Sequence, residues 1–295
     1  MGRSQPVSLK ISRFVSEQAT AAASSANSTE PSLPVWLLPQ VLSLDAPTVA
    51  LVWQWFFAKS FHVRVGSAVL FVTAACVWMI YAADHLLDVR SGAIYSSRHR
   101  FLAKHQRTIW AVAVIVFGSA SVVSWGFPLS LWLGALELTA IVGVYLGIVH
   151  LLGAMTHRYW PKEFAIGVVF AAGSSIATWT QTGRDAWPEI LLFAGLCSLN
   201  CCAVDYWEWQ ADGILLRYPH WMTRLVARHF VACAAGLMGA AALVFAFHHT
   251  AVPVAVIACV LLLIALNGGR HSLSSELARL LADAALLTPL FFLLR

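Results

Sequence analysis

Apolar residues along this chain fall into runs of about twenty, each closed by a short polar stretch, and not into the alternation of half-buried strands. Runs at about 65–86, 108–126, 129–151, 163–182, 188–207, 228–247, 251–267 and 277–294 are long enough, or nearly so, to cross about 30 Å of hydrocarbon as helices. A shorter run, Ala46 to Phe61, follows Asp45 and contains Pro47, the signs of a helix N-cap and an early proline. The pattern predicts nine helices and an all-α, polytopic membrane protein. Residues 1–34, rich in Ser, Ala and Thr, hold no apolar core of signal-peptide length. They are expected to form a disordered cytoplasmic tail, with 35–295 as a single transmembrane domain.

Composition supports the same solvent. Hydrophobic residues make up 59% of the 295 and charged residues 11%, against about 45–50% and about 25% in soluble domains; mean hydropathy is +0.73. The net charge of +5 does not point to a nucleic-acid partner, because the cations sit in short loops between apolar runs. With nine spans and a cytoplasmic N-terminus, 15 Lys and Arg fall inside and 4 (Lys59, Arg64, Arg184, Arg295) outside. That asymmetry is the positive-inside signal, and moving the frame by one helix scrambles it. The six cysteines all lie in apolar runs without metal-site spacing and read as small core residues.

The same topology puts two acidic clusters at the cytoplasmic boundary. Asp84 and Asp88 end the second span, one helical turn apart; Asp205, Glu208 and Asp212 end the sixth, within about 60° of one another around the axis. Five of the 14 acidic residues thus gather where a lone carboxylate costs about 2.5–3.5 kcal/mol at mid-membrane. A shared divalent cation offsets their repulsion, and hard oxygen donors without thiolate or imidazole favour Mg²⁺, which completes its shell with water and phosphate oxygens. The alternative is that these carboxylates lie just outside the bilayer and pair with Arg90, Arg98 and Arg100. The segments from Cys76 and from Cys197 align without gaps, matching Cys, Ala82 with Ala203, Asp84 with Asp205, and Gly92 with Gly213. A duplicated helix pair accounts for this, as does coincidence.

The pair Asp84-HLL-Asp88, the cluster Asp205-YW-Glu208-WQA-Asp212-Gly213 and the basic loop after each resemble the UbiA-type intramembrane prenyltransferases over residues 40–295. The resemblance implies a nine-transmembrane-helix bundle whose two acidic motifs bind Mg²⁺ and the diphosphate of an isoprenyl donor. Asp84, Asp88, Asp205, Glu208 and Asp212 would be its metal and catalytic residues. Lys162, Arg98, Arg100 and Arg158 would hold the diphosphate, with a lipophilic or aromatic acceptor and the surrounding lipids as partners. One position departs: the family's asparagine is Ile80 here, and Asn200 lies on another helix, turned about 140° from Asp205. Arg158-YWPKEFAIGVVFAAGSS also resembles the family's fifth helix, with Gly167 and Gly173 permitting close packing.

Other polar residues inside spans have plainer readings. Asp283 is expected to pair with Arg279, its i−4 neighbour, or to orient a ligand, and Glu137 lies far from the acidic face. His85 reads as a packed histidine, and the loops 89–107 and 208–227 as lids that exclude water. Two other classes compete with the enzyme: an ion-coupled transporter, which calls for acidic groups near the midplane, and a catalytically silent isoprenoid-binding relative, for which Ile80 speaks.

Overall fold

Hydrocarbon offers no partner to a backbone N–H or C=O, so each apolar run satisfies its own hydrogen bonds by coiling. The computed structural model describes residues 38–90, 101, 104–151, 162–212 and 219–294, without the side chains of 87–90, 146, 148–151 and 212. The chain divides into two units, Met1–Leu38 and Pro39–Arg295, and all helices named here belong to the second. They are α1 (Asp45–Ser60), α2 (Ser67–Arg90), α3 (Gln106–Ser124), α4 (Leu129–Leu151), α5 (Lys162–Ser174), α6 (Ile176–Thr182), α7 (Trp187–Asp212), α8 (Trp221–Arg228), α9 (Phe230–His248), α10 (Val252–Gly269), α11 (Ser275–Ala285) and α12 (Leu290–Leu293). No strand occurs among the described residues. The tail at 1–34 lies outside them.

Among the described residues, five stretches are helical, long and apolar enough to cross a membrane: Ser67–Leu86, Gln106–Ser124, Ile176–Ala211, Phe230–His248 and Val252–Ser272. The apolar part of α4, Leu129–Tyr145, is shorter. Hydropathy predicts nine spans, and the difference has local causes. α1 has 16 residues, the run at 163–182 breaks at Ser175, and the run at 277–294 breaks after Ala285. At Ser175 the hydroxyl turns back onto the Ala171 carbonyl at 2.7 Å, while the Trp179 indole N–H reaches the Ala172 carbonyl at 3.0 Å. The break therefore leaves that carbonyl hydrogen-bonded.

Between α6 and α7 the chain reverses through a 3₁₀ turn, Gly183–Ala186, that starts at Gly183 with φ +65°, a region L side chains rarely adopt. α5 then lies along α7, antiparallel and close: a Cβ on Gly167 would stand 2.7 Å from the Ser198 backbone nitrogen. Gly173, by contrast, has open space around its Cβ direction and lines a cavity.

α7 is the hub. Its partners are α5, α8, α9, α10 and α11, and 72% of the apolar window in Ile176–Ala211 is buried, against 17% for α2, α3 and α9, which face outward. Because lipid tails are as apolar as Leu, shape and dispersion hold such a core, together with a few buried hydrogen bonds. Trp53 on α1 stacks on Phe193 of α7 at 4.0 Å between centroids. Its indole N–H donates to the Leu286 carbonyl at 2.8 Å, one of the carbonyls that the end of α11 leaves without a helical donor. Lys59 reaches the Leu293 carbonyl at 3.3 Å and Phe56 packs on Phe292, so α1 is sealed against the last helices. On the face opposite the acidic clusters, the fully buried Glu189 accepts from Thr250 at 2.9 Å and lies 3.2 Å from His248 Nδ1, tying α7 to the α9–α10 turn.

Candidate functional site

Tyr81 on α2 stands within electrostatic reach of Cys201 on α7, of Asp283 on α11 and of Asp45 at the start of α1. One turn further along each helix come Asp84 and Asp205, both half-buried. Asp205 stands within reach of two cations, Lys162 and Arg279, and of two carboxylates, Glu163 and Glu208. Lys162 begins α5, where the close approach of α5 to α7 carries it toward that cluster.

Other candidates have different partners from those expected. Arg279 donates from Nη1 to Glu208 at 2.9 Å and so reaches across to α7, while it also stands within electrostatic reach of Asp283 on its own helix. Asp283 accepts from the Asn200 amide at 3.3 Å, which gives Asn200 a structural partner one helix away. Glu163, next to Lys162, is buried and accepts from Thr223 of α8 at 3.0 Å. The short helix α8 occupies part of the predicted lid 208–227, with Thr223 buried and Trp221 and Leu225 exposed. Ile80, at the family's asparagine position, lines the cavity described below.

Asp88 and Asp212 lie on described helix backbone, but their side chains are outside the described set; so are Arg98, Arg100 and Arg158 altogether. Among the described residues no three His, Cys, Asp or Glu side chains gather as a metal-ligand group. Of the predicted metal ligands, Asp84, Asp205 and Glu208 have described side chains, and Glu208 is paired with Arg279. Two carboxylates suit Mg²⁺, which keeps several waters and takes phosphate oxygens for the rest of its shell. They would be too few for a caged Ca²⁺ or a structural zinc.

Along α2, from Val69 to Asp84, runs a cavity of about 500 Å³ walled by α2, α3, α4 and α5. Among the described residues of that wall, Asp84 is the one that carries a charge, and it sits at one end. Aromatic rings recur along the rest: Tyr81, Phe117, Phe127, Trp132, Tyr145 and Phe170.

Sequence reasoning missed a chain of contacts at the end of α7. Trp207 donates from Nε1 to Asn267 at 3.2 Å, Arg270 donates to the same Asn267 oxygen and, at 2.8 Å, to Gln210, and Gln210 donates to the Tyr206 hydroxyl at 3.2 Å. Its members are about 60 residues apart in sequence, and only the polar residues ending two apolar runs at one boundary hinted at it. The chain matches no family model, no curated protein and no solved structure.

Proposed function

We propose that this protein is an intramembrane prenyltransferase of UbiA type that moves a prenyl group from an isoprenyl diphosphate to a lipophilic or aromatic acceptor, with Mg²⁺ as cofactor. In this reading it spans the membrane nine times, with its N-terminus and active site on the cytoplasmic side. The observation that carries the proposal is the cavity along α2, apolar along its length, with Asp84 at one end as the single charged residue among the described lining residues. Such a shape suits a ligand with a long hydrocarbon body and a charged head.

Mg²⁺ bound to Asp84 and Asp205, together with Asp88 and Asp212, would neutralise the diphosphate as it leaves. Lys162, within reach of Asp205, supplies a further positive charge there. The allylic C–O bond breaks with its electron pair going to the diphosphate oxygen. The ring faces of Tyr81, Phe117 and Phe170 favour the carbocation, and the apolar wall keeps water from quenching it. The acceptor's nucleophilic atom then bonds to the cationic carbon and gives up a proton.

Purified protein incubated with labelled isoprenyl diphosphates and membrane lipid extract should release diphosphate with Mg²⁺ and not without it. Asp84→Ala or Asp205→Ala should lower turnover by about 10²-fold or more. Ile80→Asn should leave it unchanged or raise it, since water replaces a missing neutral ligand more readily than a missing charge. Ile80 in the cavity wall favours a second reading, a silent isoprenoid binder. No turnover with any donor, together with binding indifferent to Mg²⁺ and to both aspartate changes, would establish that reading and end the first.

A further inference from the structure

The short helix α8 has two unlike faces. At 100° per residue Trp221, Arg224, Leu225 and Arg228 fall within about 100° of its circumference, and Thr223 falls opposite them. The inner face is fixed. Thr223 is fully buried and donates to Glu163, in the first turn of α5, at 3.0 Å, while the buried His220 caps the helix by accepting from the Met222 N–H at 3.2 Å. The outer face is bare: Trp221 is 54% and Leu225 50% exposed, with Arg228 exposed beside them.

The depth of that face follows from α9. Only His229 separates the two helices, and backbone bonds run through it, from the His229 N–H to the Leu225 carbonyl at 3.0 Å and from the Cys233 N–H to the His229 carbonyl at 2.9 Å. The 19 residues of α9 make about 28 Å at 1.5 Å per residue, enough to use up the hydrocarbon thickness by themselves. α8 therefore lies at the edge of the hydrocarbon. Leu225, five residues before Phe230, stands at most about 8 Å beyond that edge, in the layer of headgroups where Trp is enriched and long cationic side chains reach phosphate. Charge there has one sign. From Gly213 to Ser275 the sequence holds no Asp or Glu, whereas Arg217, Arg224 and Arg228 all come just before α9. Among the described residues Arg228 enters no ion pair.

We propose that the outer face of α8 is an interfacial binding surface for anionic phospholipid: Trp221 and Leu225 enter the top of the acyl layer, and the Arg228 guanidinium takes the headgroup phosphate. Arg224 adds positive potential on the same face. Charge and size select this occupant. One exposed Trp and one exposed Leu on a helix of two turns fall far short of the roughly 800 Å² per partner that a stable protein interface buries. A tryptophan and a leucine flanked by arginines, with no carboxylate nearby in sequence, match a lipid surface of negative charge. Lipid on one side and the Thr223–Glu163 bond on the other then hold α8 between them. This surface is independent of prenyl transfer and requires only that α9 spans the bilayer.

The test uses the full-length protein with Cys76→Ala, Cys201→Ala and Cys233→Ala, which remove the thiols that are not buried, and with Leu225→Cys labelled by bimane. It is reconstituted in phosphatidylcholine nanodiscs without Mg²⁺ or any isoprenyl donor. Phosphatidylglycerol spin-labelled near the top of its acyl chain should quench the bimane about fivefold more than phosphatidylcholine carrying the same label, the preference expected of one arginine at an anionic surface. Arg228→Gln should bring the two lipids close to parity, and Arg228→Lys should keep most of the preference. A bimane at Leu243→Cys, exposed toward the other end of α9, should show none. Should Leu225→Cys misfold, Trp221→Cys reports on the same face. Equal quenching by the two lipids, or quenching by aqueous iodide and by neither lipid, would overturn the lipid surface. So would cross-links through Leu225→Cys to a second copy, or loss of the preference on adding inorganic diphosphate, which would give Arg228 to a soluble anion. Failure of prenyl transfer in a separate assay leaves these outcomes unchanged.

Discussion

Arg279 shows how one side chain redistributes the charges of the site. It stands at i−4 from Asp283 and within its electrostatic reach on α11, and it also binds Glu208 of α7 at 2.9 Å, while Asp283 accepts from Asn200. Both members of the Arg279–Glu208 pair keep partial solvent access, so its worth lies between that of an exposed and a buried pair, about 1–2 kcal/mol. Arg279→Met and Glu208→Gln should each lower thermal stability in detergent, and the double variant should lose less than the two added together; strict additivity would show the pair to be energetically idle. Asp84 and Asp205 were legible in the sequence because carboxylates ending apolar helices stand out against their surroundings. The partners of Glu163, Glu208 and Asp283 were not, since Thr223, Arg279 and Asn200 lie 60, 71 and 83 residues away.

At the scale of helices, two glycines of α5 that look alike in sequence do different things. Gly167 meets the backbone of Ser198, and a methyl group there pushes α5 off α7. Gly167→Ala should cost about 1–3 kcal/mol by overpacking. Gly173 has nothing within 4 Å of its Cβ direction, so Gly173→Ala should be neutral or stabilise by up to about 1 kcal/mol through helix propensity. Thermal unfolding of the two variants side by side checks this, and equal effects would contradict the α5–α7 contact. Helix boundaries follow the hydropathy runs closely, as for α4 at Leu129–Leu151. The interruptions at Ser175 and after Ala285 do not, because a serine or a leucine in an apolar run carries no strong breaking signal; there Trp179, Trp53 and Thr288 supply the donors that make a break tolerable.

At the scale of the whole molecule, orientation is the expectation on which the site depends. The charge asymmetry of the sequence predicts that the loop at 89–107 and the ends of α2 and α7 face the cytoplasm. Single-cysteine variants in that loop, in a background lacking the six native cysteines, should react with an impermeant maleimide only after the membrane is opened. Reaction in intact cells would invert the acidic face and remove the proposed access to cytoplasmic diphosphate.

By itself the sequence determined that the chain is helical and built for a bilayer, because backbone satisfaction and apolar run length are local properties that need no knowledge of neighbours. It also singled out the acidic helix ends, since a charge beside hydrocarbon is costly wherever the helix lies. Tertiary structure alone decided that α7 is the hub, that α1 seals against the last helices, that Arg279 holds Glu208 and that α2, α3, α4 and α5 border a cavity. In a chain 59% hydrophobic, nearly every helix offers an apolar surface all round. Which surfaces meet is then settled by shape, small residues and a handful of hydrogen bonds between distant positions, none of which leaves a periodic trace in sequence.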